Sequence, residues 1–69
     1  MTDTQKAKII EDANAVIKEA RKYEEAGDID KLTRESRELL GIRTTLNTLG
    51  YDFVWDELMQ YATDIYRIA

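Results

Sequence analysis

Residues 51–69, YDFVWDELMQYATDIYRIA, decide what kind of protein this is. Tyr51, Trp55, Leu58, Ala62, Ile65 and Ala69 recur at a strict 4-3-4-3-4 spacing, and Val54, Tyr61 and Ile68 run beside them at intervals of seven. On a helix these positions cover roughly half the circumference, against about 100° for an ordinary core-facing stripe. The stretch therefore predicts an amphipathic helix with more apolar surface than two short neighbours cover. That surplus implies an interaction role, with a homo-oligomer as the first expectation.

The helix is expected over about Phe53 to Ile68, entered through Gly50 with Asp52 as N-cap and with Asp56 and Glu57 near its positive end. Its polar face is Asp56, Glu57, Gln60, Thr63, Asp64 and Arg67, and Phe53 plots among them. Phe53 either folds back over the preceding loop or stands as an exposed anchor. Tyr51 and Trp55, four apart, are placed to stack on one another. Tyr61 and Ile68 on one margin, and Met59 and Tyr66 on the other, are where a tyrosine ring can lie on apolar surface with its hydroxyl at the edge. Aromatic residues of this kind dominate interface hot spots. Phe53, Trp55, Met59, Tyr61, Tyr66 and Ile68 are accordingly the candidate partner or self-association residues.

Upstream, a second helix is expected over about Asp30 to Leu49. Leu32, Leu39 and Leu46 form one heptad row, Ile42 and Leu49 a second, and Ile29 and Leu40 lie on the other flank. Arg43 plots near the centre of this arc with Ser36 on the same line and Glu35 at its edge. An unpaired buried guanidinium costs several kcal/mol, so Arg43 is expected to be paired or to snorkel at a boundary. The other use of such residues is a site for a small anion such as a nucleotide, built from Arg43, Ser36 and a stacking Tyr51, with Tyr23 and Lys22 or Lys31 as further contributors. Gly41 is where this helix can break, which would turn three helices into four unequal ones.

The first helix is expected over about Asp3 to Ala26, opened by a Thr2 and Gln5 capping box and closed by Gly27. Its seam is Ile9, Ala13, Val16, Ala20 and Tyr23, widened by Ile10 and Ile17. No segment alternates with period two, and there is no proline or linker-like tract. The fold class is all-α: residues 1–69 as one domain, a three-helix bundle or a helical hairpin plus a C-terminal helix, assembled as a homo-oligomer. The intramolecular core is expected to cover Tyr51, Trp55, Leu58, Ala62 and Ile65.

Composition narrows the function. A chain of 69 residues buries only about 60% of its unfolded surface and is marginal unaided. Cysteine and histidine are both absent, which removes disulfides and makes zinc implausible, leaving oligomerisation as the remaining staple. Ten basic against fourteen acidic residues give a net charge of −4. That disfavours nucleic-acid phosphates and anionic membranes, and it can steer the chain toward a basic partner. No apolar run reaches the length of a signal-peptide core or a membrane span, so a soluble cytoplasmic protein is expected.

Catalysis finds no equipment. Without histidine and cysteine the commonest general base and thiol nucleophile are missing. Asp28 and Asp30 read as caps, and Asp56, Glu57 and Asp64 as a wet face. No glycine-rich phosphate loop exists, and Asp28-Ile29-Asp30 lacks the glycine and glutamate of a Ca²⁺ loop. No cofactor or metal is expected. Ser36-Arg37-Glu38-Leu39 resembles the Ser-Gln-Glu-Leu-Asp segment of the small helical-hairpin phosphatases that act on sporulation response regulators. Leu40 stands where that family has its acidic residue, so the resemblance covers four positions and implies neither the activity nor a site. The expectation is a non-enzymatic helical interaction protein that self-associates and binds or inhibits a protein partner, in a setting such as a phage or mobile element. The alternative is an oligomer that sequesters a small anionic ligand.

Overall fold

The computed structural model describes residues 2–67. It consists of three helices, α1 (Asp3–Ala26), α2 (Ile29–Thr48) and α3 (Asp52–Tyr66), with no strand among the described residues. The capping box forms as the sequence implies: Thr2 N–H donates to Gln5 Oε1 at 2.9 Å, and Gln5 N–H donates to Thr2 Oγ1 at 3.2 Å. Asp28 caps α2 by accepting from Lys31 N–H at 3.2 Å.

Both interhelix turns use the same device. Gly27 and Gly50 adopt φ values of 72° and 79°, in the left-handed region that a side chain disfavours. This lets the residue after each glycine reach back to the last helical turn, Asp28 N–H to Tyr23 O at 3.0 Å and Tyr51 N–H to Leu46 O at 2.8 Å. Both are Schellman closures. Gly41 lies inside α2, with the Thr45 hydroxyl donating to its carbonyl at 3.1 Å.

α2 packs against both neighbours, while α1 and α3 touch least. The core is Ala13, Ile17 and Ala20 of α1, Leu32, Leu39 and Leu46 of α2, and Val54, Trp55, Leu58, Ala62 and Ile65 of α3. Accessible surface totals 4576 Å² for a mass of 8.0 kDa, close to the roughly 4,450 Å² expected of a compact chain of that size.

Two details of α3 depart from the expectation. Its N-cap is Tyr51 rather than Asp52, without a side-chain cap bond, and Asp52 is the first helical residue. Tyr51 has φ −109° and ψ 42°, so helical spacing does not aim its ring; it is half-buried, and Val54 takes the core position instead. The Tyr51–Trp55 stack is replaced by two other pairs. Tyr51 lies 5.7 Å from the Phe53 ring, and Trp55 meets Tyr66 edge-on at 5.0 Å.

The far end of α3 is held from outside. Its last turn holds no basic residue, and donors from both other helices reach its carbonyls. Ser36, fully buried in α2, donates to Ile65 O at 2.5 Å and lies 3.3 Å from Tyr66 O. From α1, Arg21 donates to Tyr61 O at 2.8 Å and grips Asp64 with both terminal nitrogens.

Candidate functional site: the outer face of α3

The sequence-predicted residues divide into two groups. Trp55, Met59 and Tyr66 come together on the α2 side of α3. Trp55 is 9% exposed, Met59 and Tyr66 are half-buried against the core, and the Tyr66 hydroxyl accepts from Arg43 Nη1 at 2.7 Å. These residues are occupied in closing α3 on α2. Phe53 and Tyr61 remain outside, 50% and 52% exposed. Ile68 and Ala69 lie outside the described residues.

Phe53 resolves toward a mixture of its two expected roles. Its ring folds back on Tyr51, and the Lys6 ammonium of α1 sits 4.8 Å from its centroid. Half of its surface still faces outward, in the middle of the polar arc of α3. Tyr61, eight residues on and so about 12 Å along the axis, sits on the margin nearest α1. Its hydroxyl donates to Asn14 Oδ1 at 2.6 Å. The hydroxyl is thereby satisfied while the ring remains available, as an amphipathic interface residue requires.

Between and around these rings stand Asp52, Asp56, Glu57 and Gln60, all exposed. Asp64 closes the face. The hydrogen bond from Arg21 holds its carboxyl below the usual carboxylate range, and the same bond raises the guanidinium further. Asp52, Asp56 and Glu57 form no ion pair among the described residues.

The residues of the anion alternative are not assembled into a cup. Ser36 is enclosed, with its hydroxyl committed to the α3 carbonyls. Arg43 is exposed rather than central to a buried stripe, and its guanidinium lies 5.7 Å from the ring of Tyr66, whose hydroxyl it meets, as an arginine at a boundary does. The cleft it lines is shared with Asn47, Trp55, Asp52 and Asp56, and two carboxylates repel an anion. Tyr51 sits against Phe53, at the start of α3. Tyr23 instead has Lys31 over its ring at 5.6 Å.

Two further features stand apart from these groups. An open groove between α1 and α2 is lined by Ile9, Asp12, Val16, Glu38, Gly41, Ile42 and Thr45, and continues toward Leu49, Thr4 and Lys8. Ile9, Val16 and Ile42 were assigned to the helix seams, yet each is only half-buried because α3 covers the other side of the pair. Glu35 is a nearly buried carboxylate, 8% exposed. Burial pushes its carboxyl above the usual range, helped by Glu38 and Glu19 and opposed by Arg34. No cluster of three or more acidic residues suited to a metal ion occurs among the described residues, and none of their helices is long and apolar enough to cross a membrane.

No protein-family model matches the chain, and comparison with curated proteins and with solved structures returns no match.

Proposed function

We propose that this is a non-enzymatic interaction protein that acts by occupying a partner's surface through the outer face of α3. The observation that carries the proposal is the pair of half-exposed aromatics, Phe53 and Tyr61, on a helix whose other large apolar residues are engaged in the core. Exposed rings on a rigid element make hot-spot anchors at low entropic cost. α3 is rigid because Ser36 and Arg21 fasten its C-terminal half to both neighbours. Inhibition by occlusion needs nothing more than such a face.

Self-association belongs elsewhere on the molecule. Two α3 faces brought together about a two-fold axis would oppose carboxylate to carboxylate, and like charges across an interface are destabilising. The α1–α2 groove, lined by Ile9, Val16, Ile42 and Leu49 together with Asp12 and Glu38, offers a second copy a more apolar surface.

The test is retention of partner proteins from the cell that encodes the chain. Tagged wild-type protein is compared with Phe53→Ala/Tyr61→Ala and with Ile29→Ala/Leu40→Ala, which alters exposed apolar residues on α2. Loss of a wild-type partner in the first variant and its retention in the second is the expected result. Equal retention by both variants, or loss in both, would remove α3 as the binding face.

A further inference from the structure

The chemistry of the partner follows from where the charge sits. α3 contains four carboxylates, Asp52, Asp56, Glu57 and Asp64, and no cation. Outside α3 the remaining ten acidic residues are balanced by all ten basic ones, so Asp52–Tyr66 carries a charge equal to the −4 of the entire chain, with Arg67 directly after it as the C-cap. Arg21 neutralises Asp64 at one margin. Asp52, Asp56 and Glu57, grouped around Phe53 within about one and a half turns of helix, form no ion pair among the described residues, although Arg43 lines a cleft with Asp52 and Asp56 and Lys6 lies over the Phe53 ring. Favourable placement at a helix N-terminus accounts for Asp52 in the first turn. It does not account for Glu57, a turn further on, beside an exposed phenyl ring.

We infer that the partner of the α3 face is a protein surface that is basic and carries apolar pockets, taking Phe53 and Tyr61 as anchors while its lysines or arginines meet Asp52, Asp56 and Glu57. This rests on the reading of α3 as the binding face and adds the identity of what it binds. An acidic face repels phosphate backbones and anionic lipid, and it repels its own copy. A small polycation would satisfy the carboxylates and leave two rings, offset by about 12 Å along the helix axis, without a matching surface. A basic groove or amphipathic helix satisfies both. Electrostatic complementarity of this kind accelerates encounter and weakens as salt screens the charges.

The probe is a synthetic amphipathic helix of leucine and lysine about five turns long, titrated into the full chain and followed by amide chemical shifts. A leucine–glutamate helix of the same pattern and a lysine-only peptide are the comparisons. Binding of the leucine–lysine helix is expected to move the amides of Phe53, Glu57 and Tyr61. Its affinity should fall at least about tenfold on Phe53→Ala, on Asp56→Asn/Glu57→Gln, or on raising salt from about 50 mM to about 500 mM. The lysine-only peptide should bind about tenfold more weakly, and the leucine–glutamate helix not at all. Circular dichroism and thermal melts establish that each variant is folded before titration. Equal binding of the two leucine-containing helices at α3 would overturn the basic partner and leave the binding face standing. Equal binding of the lysine-only peptide would overturn the apolar pockets. Shifts centred on the α1–α2 groove, or no shifts with either amphipathic helix, would overturn both the partner and the face.

Discussion

Replacing Ser36 by alanine should loosen α3 from the bundle although it removes a single oxygen. Ser36 has no accessible surface, and its hydroxyl donates to Ile65 O at 2.5 Å in the last turn of α3. Ile65 is itself fully buried, so water cannot readily replace the lost donor. Leaving a buried carbonyl short of a partner costs about 1–3 kcal/mol. A value near 2 kcal/mol corresponds to a fall of about 8–16 °C in Tm for a domain of this size. Urea unfolding followed by the fluorescence of Trp55, which lies against Tyr66, measures the change. Hydrogen exchange should show it as earlier opening of the C-terminal half of α3. A loss below about 0.5 kcal/mol would refute the claim that Ser36 fastens the last turn of α3 to α2.

Three further outcomes are expected. Gly41→Ala should stabilise the chain by about 1 kcal/mol, because Gly41 is helical and an added Cβ meets nothing within 4 Å; Gly27→Ala, at φ 72°, should destabilise by about 1–2 kcal/mol, and paired denaturation curves check both signs. Lowering pH into the carboxylate range should raise stability through Glu35: its folded carboxyl binds a proton more readily than the unfolded one, so its contribution is fully present below the unfolded value and is lost as pH rises through the raised folded one. Asp64 has the opposite sign, since its lowered value gives a contribution present above the unfolded pKa and lost as pH falls through the folded one; melts of Glu35→Gln and Asp64→Asn against pH separate the two. Finally, Phe53→Ala/Tyr61→Ala should leave the solution mass by light scattering unchanged over a wide concentration range, whereas Ile42→Glu should abolish any growth beyond 8.0 kDa.

The helices were legible because their signals are local. Thr2 with Gln5, Gly27 before Asp28, and Gly50 at the second turn each specify a cap through bonds spanning a few residues. The seams of Leu32, Leu39 and Leu46 and of Ala13 and Ala20 were legible for the same reason: periodicity fixes which side of a helix faces inward. The long-range contacts were not legible. Arg21 offers an obvious local partner in its own helix, and it does approach Glu24, but its principal acceptors are Tyr61 O and Asp64. Nothing in spacing alone places residue 21 beside residue 64. Ser36 was a candidate anion contact on the line of Arg43, because the carbonyls that employ it belong to another helix and spacing does not reveal them. Tyr51 was misassigned because the helical wheel was extended across a residue with non-helical dihedrals.

The candidate face was partly visible. Phe53 was recognised as an aromatic among polar residues, and Tyr61 as a margin residue. Trp55, Met59 and Tyr66 resembled them in composition, and only the packing of α2 against α3 separates the engaged aromatics from the available ones. The confinement of the net charge to α3 could be counted from the sequence once the helix bounds were known.

The most direct test places a photo-crosslinking benzoylphenylalanine at Phe53 and, separately, at Arg37 on the exposed side of α2, in the cell that encodes the chain. Adducts to a basic protein from position 53, with none from position 37, are the predicted result. Equal yields from both positions, or adducts from position 37 alone, would contradict the assignment of the binding face to α3.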